Sequence, residues 1–391
     1  MAAPLSEPLS IPSLSSLTTL RVGGVPDAYV EAASEEELIE AVRGADDAQV
    51  PLLVLGGGSN VVVSDEGFDG VVVRDVRQGL TPLSEDTCGG AALSVVAGHL
   101  WDDVVRTCVE SDWVGVEALS GIPGTAGAAP VQNIGAYGQE VAGVVANVRT
   151  WDRARGRVRT FATGELAFGY RTSLLKQSTQ VGSSVPGAPW YPTPAYVVLA
   201  VEMQLRLGSL SAPVAYPELA RRLGVEVGQR APMADVRAAV LELRAGKGML
   251  AAADPGADSE DHDRWSVGSF FMNPVVPANE ADLLPEGAPR FEVRSPVPEV
   301  STGPSLGAVD PSLVKTSAAW LIEHAGFSRG YGVRGEDSAA RLSTKHTLAI
   351  TNRGSATAAD VVELARAVRD GVREAFGIEL VPEPNLVGLS L

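Results

Sequence analysis

Three short segments carry side chains that could act on a carboxylate. Tyr170 and Arg171 stand side by side in FGYR, and an arginine beside an aromatic ring can hold a carboxylate through two parallel hydrogen bonds. Ser269 lies in GSFF, an apolar setting in which its hydroxyl needs a partner, and Glu383 lies in PEPN. The Gly-x-Ser-x-Gly elbow of hydrolases is missing around Ser269. Each of these residues also fits a purely structural role, so residue type alone leaves the choice open.

Two uncharged, glycine-rich segments could bring bare backbone against a ligand. LGGGSN (55–60) follows a predicted strand, and its glycines leave N–H groups free to bind a phosphate. It matches neither the dinucleotide fingerprint nor a P-loop, so a tight structural turn is the alternative. The second segment, LSGIPGTAGAAPVQNIGAYG (119–138), offers polar contacts at Gln132 and Asn133, and its alternative is a buried turn between strands. Together the two segments favour a large cofactor with a pyrophosphate.

The composition indicates an acidic globular protein of two or three domains. The 391 residues carry a formal net charge of −17, so no broad basic field exists to attract a nucleic acid. Cys88 and Cys108 are too few for a thiolate metal site, and the four histidines are dispersed. The N-terminus lacks the pattern of a signal peptide, and the longest uncharged stretch, Thr179–Val201, is broken by four prolines. We therefore expect a cytoplasmic monomer with no membrane insertion, nucleic-acid partner, obligate protein partner or metal.

The hydrophobic periodicity predicts an α+β fold. Ser34 with Glu37 forms a capping box that predicts a helix, and Gly377 is a suitable C-cap for a long helix that precedes it. The apolar runs 195–207 and 378–382 predict strands. The shift in composition at 208–232 indicates a domain junction.

Seven motifs occur in an order and spacing that resemble one family. They are TTLRVGG (18–24), LGGGSN (55–60), IPGTAGAAPVQNIGAYG (122–138), FGYR (168–171), GSFFMNP (268–274), SAAWLIEHAGF (317–327) and PEPNLVG (382–388). On these motifs the chain is similar to the UDP-N-acetylenolpyruvoylglucosamine reductase family over residues 18–388. That family consists of flavoenzymes of peptidoglycan precursor synthesis.

The resemblance implies an FAD-binding region of the vanillyl-alcohol-oxidase type, in two subdomains, and a C-terminal α+β substrate-binding domain. The implied divisions are a flexible N-terminus (1–17), the FAD-binding region (18–208, split near 75–90), a tyrosine loop and linker (209–232), the substrate-binding domain (233–376) with an acidic insertion (251–264), and a C-terminal segment (377–391) that returns to the active site. The insertion is long for this place in the family, and no role is assigned to it.

The resemblance also implies roles for particular residues. The catalytic residues would be Arg171, Ser269 as the proton donor, and Glu383. The FAD contacts would come from the glycine-rich segments, at Gly56, Gly57, Gly58, Ser59, Asn60, Ser120, Gly121, Ile122, Pro123, Gly124, Thr125, Gly127, Gln132, Asn133, Gly135, Ala136, Tyr137 and Gly138. The substrate contacts would come from Tyr170, Tyr216, Lys247, Asn273 and His324. Asn385 departs from the family, since some relatives carry a basic residue there.

The implied reaction is the reduction of UDP-N-acetylglucosamine enolpyruvate to UDP-N-acetylmuramate, with FAD as the cofactor and NADPH as the co-substrate. Hydride would pass from reduced flavin to the enol β-carbon, and Ser269 would protonate the α-carbon. Arg171 and Glu383 would stabilise the enolate. Two alternatives stay open: another FAD oxidoreductase or oxidase of the same fold, and a flavin-binding module without turnover.

Overall fold

The computed structural model describes residues 11–179, 190–250, 261–298 and 307–391. Residues 1–10 of the predicted flexible N-terminus and 251–260 of the predicted acidic insertion lie outside the described residues. The α-helices are α1 (Glu35–Asp47), α2 (Trp101–Glu110), α3 (Ala129–Gln132), α4 (Leu174–Gln177), α5 (Pro217–Leu223), α6 (Met233–Gly246), α7 (Ala318–His324) and α8 (Ala358–Phe376). Across these ranges, no helix combines the length and the apolar character that crossing a membrane requires.

The strands lie singly or in groups between these helices in the described ranges. They are β1 (Pro26–Ala32), β2 (Leu52–Leu55), β3 (Val61–Val63), β4 (Phe68–Asp75), β5 (Leu80–Asp86), β6 (Gly90–Val96), β7 (Trp113–Val114), β8 (Gly135–Ala136), β9 (Gln139–Glu140), β10 (Val145–Asp152), β11 (Arg157–Ala162), β12 (Tyr196–Leu207), β13 (Ser266–Ser269), β14 (Val275–Pro277), β15 (Arg290–Pro298), β16 (Gly307–Thr316), β17 (Ala340–Leu342), β18 (Ala349–Asn352) and β19 (Asn385–Val387).

The N-terminal part is built on a parallel sheet of three strands in the order β1-β4-β2. Helix α1 begins where the sequence predicts, because Ser34 Oγ accepts the Glu37 N–H at 3.1 Å. Leu38 and Val42 on its apolar face are buried against the sheet with Leu52 and Val73. Burial of this one face holds the helix on the sheet.

The next part is an antiparallel sheet in the order β11-β10-β12-β6-β5, with β7 paired to β12. The predicted strand at 195–207 is confirmed as β12, which supplies the middle of this sheet. Helix α2 covers one face through Trp101, Val104, Val105 and Cys108, all fully buried. The large buried area makes this part a rigid support for the loops that leave it.

The C-terminal part combines a sheet in the order β13-β18-β17 with helices α7 and α8. Val361 and Val368 of α8 pack with Leu321 of α7 and Phe270 in one buried cluster. Helix α8 ends as predicted at Gly377, whose φ of 69° lies in the left-handed region that glycine adopts without strain. A second antiparallel sheet, β14-β16-β15, lies in the same part of the chain.

The predicted strand at 378–382 is wrong. Val381 and Pro382 make only an isolated pairing with the segment at Phe271, and the regular strand β19 comes later, at Asn385–Val387. Pro382 and Pro384 lack an N–H group and cannot donate to a ladder, which limits the pairing to single bonds. Strand β19 runs parallel to β3, so the C-terminus returns to the N-terminal part.

Candidate active site

Arg171 and Glu383 form an ion pair between the middle and the end of the chain. Arg171 Nε lies 3.1 Å from Glu383 Oε1, and the two side chains are only 19% and 15% exposed. Arg171 Nη2 also donates to the Gly135 carbonyl oxygen at 2.8 Å, and Nη1 donates more weakly to the Asn133 carbonyl oxygen at 3.4 Å. Arg171 takes a positive φ of 55°, in the turn that joins Gly169 to Thr172. The pair therefore fixes a cation and a carboxylate in a largely water-excluded place.

Main-chain hydrogen bonds hold Glu383 beside the segment that carries Ser269. The Glu383 N–H donates to the Phe270 carbonyl oxygen at 2.8 Å, and the Met272 N–H donates to the Val381 carbonyl oxygen at 2.9 Å. Ser269 is the last residue of β13 and directly precedes Phe270. The fold thus brings all three predicted catalytic residues together, although their motifs are far apart in sequence.

Gly135 leaves the space that the Arg171 guanidinium occupies. A Cβ atom at this position would lie 2.9 Å from Arg171 Nη1 and 2.9 Å from the Gln139 carbonyl oxygen. A side chain here would push the guanidinium away from the Gly135 carbonyl oxygen, so the glycine is required by close approach.

Tyr170 and Asn273 link the predicted FAD-binding region to the C-terminal part. The Asn273 N–H donates to the Tyr170 hydroxyl oxygen at 3.4 Å, and Asn273 Oδ1 accepts the Ala318 N–H at 3.0 Å. Burial raises the pKa of Tyr170 above its usual value, so its hydroxyl keeps its proton. The Lys315 ammonium lies 4.7 Å from the centre of the Tyr170 ring. Of the predicted substrate-binding residues, Tyr170 thus adjoins Arg171 in sequence, and Asn273 contacts Tyr170.

Tyr216 and Lys247 meet around Tyr137, the penultimate residue of the second glycine-rich segment. The Tyr216 ring contacts Tyr137 edge-on at 5.7 Å, and the Lys247 ammonium lies 5.6 Å from the centre of the Tyr137 ring. Lys247 Nζ also lies 2.6 Å from Glu218 Oε2. Tyr216 is 45% exposed, whereas burial raises the pKa of Tyr137 to about 12. Tyr137 thus contacts both predicted substrate-binding residues, and the Lys247 ammonium is paired with Glu218.

His324 lies elsewhere on the surface of α7. Its ring stacks on Trp320 at 3.7 Å, and its Nδ1 lies 2.8 Å from the Trp320 carbonyl oxygen. Within the described residues these contacts do not join it to Arg171, Ser269 or Glu383. The substrate contact predicted for His324 stays a prediction.

The two glycine-rich segments pack directly against each other through their backbones. A Cβ atom at Gly57 would lie 2.6 Å from Gly124 Cα, and Ser59 Oγ donates to the Pro123 carbonyl oxygen at 2.9 Å. Gly58 takes a φ of 64° and its carbonyl oxygen accepts the Thr19 N–H. The absence of side chains is thus what allows the two loops to meet.

These loops present a row of unused hydrogen-bond donors. Among the residues that the structure describes, none of the N–H groups of 56–60 donates to a protein acceptor. The same holds for the N–H groups of Ile122, Gly124 and Thr125. Free N–H groups on a glycine-rich turn form a concave donor surface suited to an anion such as a phosphate.

Comparison with known proteins finds a family for two separate parts of the chain. The model of the FAD binding domain family matches residues 26–162, and the model of the C-terminal domain of UDP-N-acetylenolpyruvoylglucosamine reductase matches residues 259–387. Proteins named UDP-N-acetylenolpyruvoylglucosamine reductase from Cutibacterium acnes and Nocardia farcinica are 49% and 51% identical, over 97% of this chain and 90% and 89% of theirs. This chain belongs to the UDP-N-acetylenolpyruvoylglucosamine reductase family.

A solved structure of the reductase family shares the fold. The UDP-N-acetylenolpyruvylglucosamine reductase of Thermus caldophilus superimposes with a TM-score of 0.56 at 25% identity, over 96% of this chain and 97% of that chain. The predicted family, the α+β fold with its FAD-binding region, and the FAD cofactor are confirmed. The predicted domain boundaries and the roles of individual residues stay predictions.

The residues present in the loops fit the FAD of this reductase family. The free N–H groups of 56–60 and of Ile122, Gly124 and Thr125 can donate to the pyrophosphate oxygens. Asn133 is buried and its side chain is engaged by protein. Its Nδ2 donates to Glu140 Oε2 at 2.9 Å and to the Gly169 carbonyl oxygen at 2.8 Å. Asn133 therefore shapes the loop, and its side-chain contact with FAD stays a prediction.

The sequence analysis missed four ionisable residues around the site. Lys176 lies in the segment that follows FGYR, and this proximity to Arg171 was the only available signal. Burial raises the pKa of Glu140 and lowers the pKa of Lys315. Burial, with Lys247 nearby, lowers the pKa of His346 to about 4. No local motif marks Glu140, Lys315 or His346, because only the fold brings them to the site.

Proposed function

We propose that this protein uses NADPH and FAD to reduce UDP-N-acetylglucosamine enolpyruvate to UDP-N-acetylmuramate, a step of peptidoglycan precursor synthesis in the cytoplasm. The observation that carries the proposal is the convergence of Arg171, Glu383 and Ser269 from three separate parts of the chain. Their meeting supports a single reaction centre for a substrate that carries a carboxylate.

Arg171 is suited to hold the substrate carboxylate and the charge that develops next to it. A guanidinium has five N–H donors. Among the described residues, Nη1 and Nη2 each donate one hydrogen bond, to the Asn133 and Gly135 carbonyl oxygens, and Nε lies beside Glu383 as an ion pair. A second N–H on each Nη is thus left for a ligand. A permanent cation held by protein contacts stabilises an enolate without having to reorganise.

Ser269 and Glu383 are suited to the proton transfer. Ser269 is partly buried at the end of β13, and within the described residues its hydroxyl has no protein partner. It can therefore direct its proton at a substrate carbon; donation to a carbanion-like centre is downhill even from a hydroxyl. Glu383 would hold the Arg171 guanidinium in place, and the two residues together would stabilise the enolate.

The remaining predicted residues would hold the two large ligands. FAD, when bound, supplies the hydride transfer. The 56–60 loop and its partner at 122–125 would hold the pyrophosphate of FAD, and Tyr216 and Lys247 would hold the diphosphate of the UDP-sugar. Tyr137 contacts both the exposed Tyr216 ring and the Lys247 ammonium, and this shared contact supports the assignment because it brings the two residues to one place.

The test follows NADPH oxidation by the purified, FAD-loaded protein with and without UDP-N-acetylglucosamine enolpyruvate. We expect oxidation that depends on the UDP-sugar, with UDP-N-acetylmuramate as the product. An equal rate without the UDP-sugar, with hydrogen peroxide formed, would identify an oxidase. Bound FAD without NADPH oxidation in either case would identify a binding module.

Replacement of the proton donor tests the residue assignment separately. Ser269→Ala should keep flavin reduction by NADPH and lower turnover of the UDP-sugar by roughly two to four orders of magnitude, the usual contribution of a positioned acid. Ser312→Ala, at an exposed position of β16, is the control. A Ser269→Ala enzyme within about tenfold of the wild type would remove Ser269 as the proton donor.

A further inference from the structure

Lys176 connects the main chain of both residues of the Arg171–Glu383 pair. Its Nζ lies 2.7 Å from Gln132 Oε1, 3.4 Å from the Glu383 carbonyl oxygen and 3.5 Å from the Arg171 carbonyl oxygen. Ser173 starts the short helix α4 that carries it, since Ser173 Oγ accepts the Lys176 N–H at 3.2 Å. One ammonium group therefore joins three segments that are distant in sequence.

The ammonium of Lys176 and the carboxylate of Glu383 both favour one orientation of the Gln132 carboxamide. An ammonium group only donates hydrogen bonds, so Gln132 must present its oxygen to Lys176. The other end of the carboxamide, its NH₂ group, then faces Glu383 and donates to Oε1 at 3.2 Å. A flipped carboxamide would set NH₂ against the ammonium and oxygen against the carboxylate, and both contacts would be repulsive. Without the ammonium, the first of these two penalties disappears.

The three acceptors of the Lys176 ammonium are neutral oxygens, and no carboxylate oxygen is among them. Burial accordingly lowers the pKa of Lys176, while the nearby Glu383 opposes this change. A partly buried lysine held by carbonyl oxygens is costly to fold and adds little as an ion pair. Its cost suggests a role other than stability.

We infer that Lys176 is a positioning residue, which orients the Gln132 carboxamide toward Glu383 and holds the Glu383 carboxylate beside Arg171 in its reactive position. This inference rests on the proposed function, in which Glu383 acts at the enolate. Gln132 itself thereby gains a second role beside its predicted FAD contact. Neither Lys176 nor Gln132 needs to touch the reacting carbon atoms for this role.

The test separates the two half-reactions of the FAD-loaded enzyme by stopped-flow absorbance of the flavin. Lys176→Met keeps the length of the side chain and removes its charge. We expect reduction by NADPH within about threefold of the wild type, and reoxidation by the UDP-sugar slowed by roughly 10- to 100-fold, as for a displaced catalytic group. Gln177→Met, at the exposed neighbouring position of the same helix, should match the wild type in both half-reactions.

A double-mutant comparison distinguishes positioning through Gln132 from a general loss of structure. If Lys176 acts through Gln132, Lys176→Met should have little further effect in a Gln132→Leu background. If Lys176→Met lowers the flavin content, Lys176→Arg, which keeps the donor, should restore both flavin content and reoxidation. Additive effects in the double variant, equal slowing of both half-reactions, or a Lys176→Met enzyme within threefold of the wild type would overturn the inference. A wild-type enzyme with no oxidation that depends on the UDP-sugar would instead overturn the proposed function and the inference with it.

Discussion

The glycine-rich loops and the Arg171–Glu383 site use opposite means to hold a ligand. The loops 56–60 and 122–125 have no charged side chains and offer main-chain N–H groups beside a few neutral polar side chains. The other site uses an arginine and a glutamate that are 19% and 15% exposed and lie in different parts of the chain. The first site depends on the absence of bulky side chains. The second depends on charged side chains from distant parts of the chain.

This difference separates two kinds of failure. A side chain added to a loop forces backbone atoms apart, and backbone atoms have no rotamers with which to adapt. A changed side chain at the ion pair leaves the loops in place and removes one chemical function. We therefore expect damage to the loops to abolish FAD binding, and damage to the ion pair to spare it.

The largest effect is expected for Gly58→Ala in the first loop. A Cβ atom there would lie 2.0 Å from the Leu17 carbonyl oxygen, and the φ of 64° is strained for alanine. The displaced backbone should cost more than about 3 kcal/mol of stability, which is typical of the most disruptive substitutions. Flavin absorbance of the purified protein and its thermal melting point measure both consequences.

Gly44→Ala is the matched control for that substitution. Gly44 lies in α1, where a Cβ atom would meet nothing within 4 Å. Alanine should stabilise the helix by roughly 0.5–1 kcal/mol and leave the flavin content unchanged. Full flavin content in Gly58→Ala would contradict the view that close backbone contact forms the site.

An intermediate effect is expected for Arg171→Met at the ion pair. Loss of the cation should lower turnover of the UDP-sugar by at least about 10²-fold, the scale for removal of one group that stabilises transition-state charge. FAD should remain bound, and flavin content is the measurement that separates the two sites. Arg171→Lys keeps the charge but not the fork of donors. Its activity should therefore fall between that of Arg171→Met and that of the wild type. Loss of FAD from Arg171→Met with normal FAD in Gly58→Ala would reverse the comparison.

The smallest effect concerns His346, which the fold places near Lys247, Arg329 and Glu218. Its pKa is lowered from 6.5 to about 4 in the folded protein, chiefly by burial and then by the two cations. Between these two values the unfolded protein binds more protons, so stability falls as the pH falls through this window. His346→Gln should remove a loss on the order of 2 kcal/mol between pH 7 and pH 4.5. Urea unfolding at pH 7 and at pH 4.5 measures the free energy of unfolding of both proteins. If that free energy falls by the same amount in His346→Gln as in the wild type, His346 is not the group concerned.

Local signals predicted the elements that are stabilised locally. The Ser34 cap and the Gly377 C-cap placed the ends of two helices correctly, because each depends on a hydrogen bond or a φ angle within a few residues. The apolar run at 378–382 gave a wrong strand, because that prediction counted apolar residues and gave no weight to Pro382 and Pro384, which cannot donate to a ladder. The glycine-rich segments were recognised by composition, and the comparisons confirm the FAD-binding domain to which they belong.

The candidate site was only partly predictable. The motifs named Arg171, Ser269 and Glu383 by resemblance, but no pattern gave their mutual contacts. Lys176 and Glu140 were missed, since a lysine in a short helix or a glutamate in a short strand is usually solvated. Only the packing of α4 and of the C-terminal segment against the second glycine-rich loop shows otherwise.

The sequence by itself determined the acidic α+β chain, its family and the bare loops, because these depend on composition and on the order of motifs. The tertiary structure decided that β19 returns to β3 and that Glu383 thereby reaches Arg171. It also decided that one ammonium group orients the Gln132 carboxamide. Contacts between distant segments depend on how all the intervening elements pack, and no local stretch of sequence contains that information.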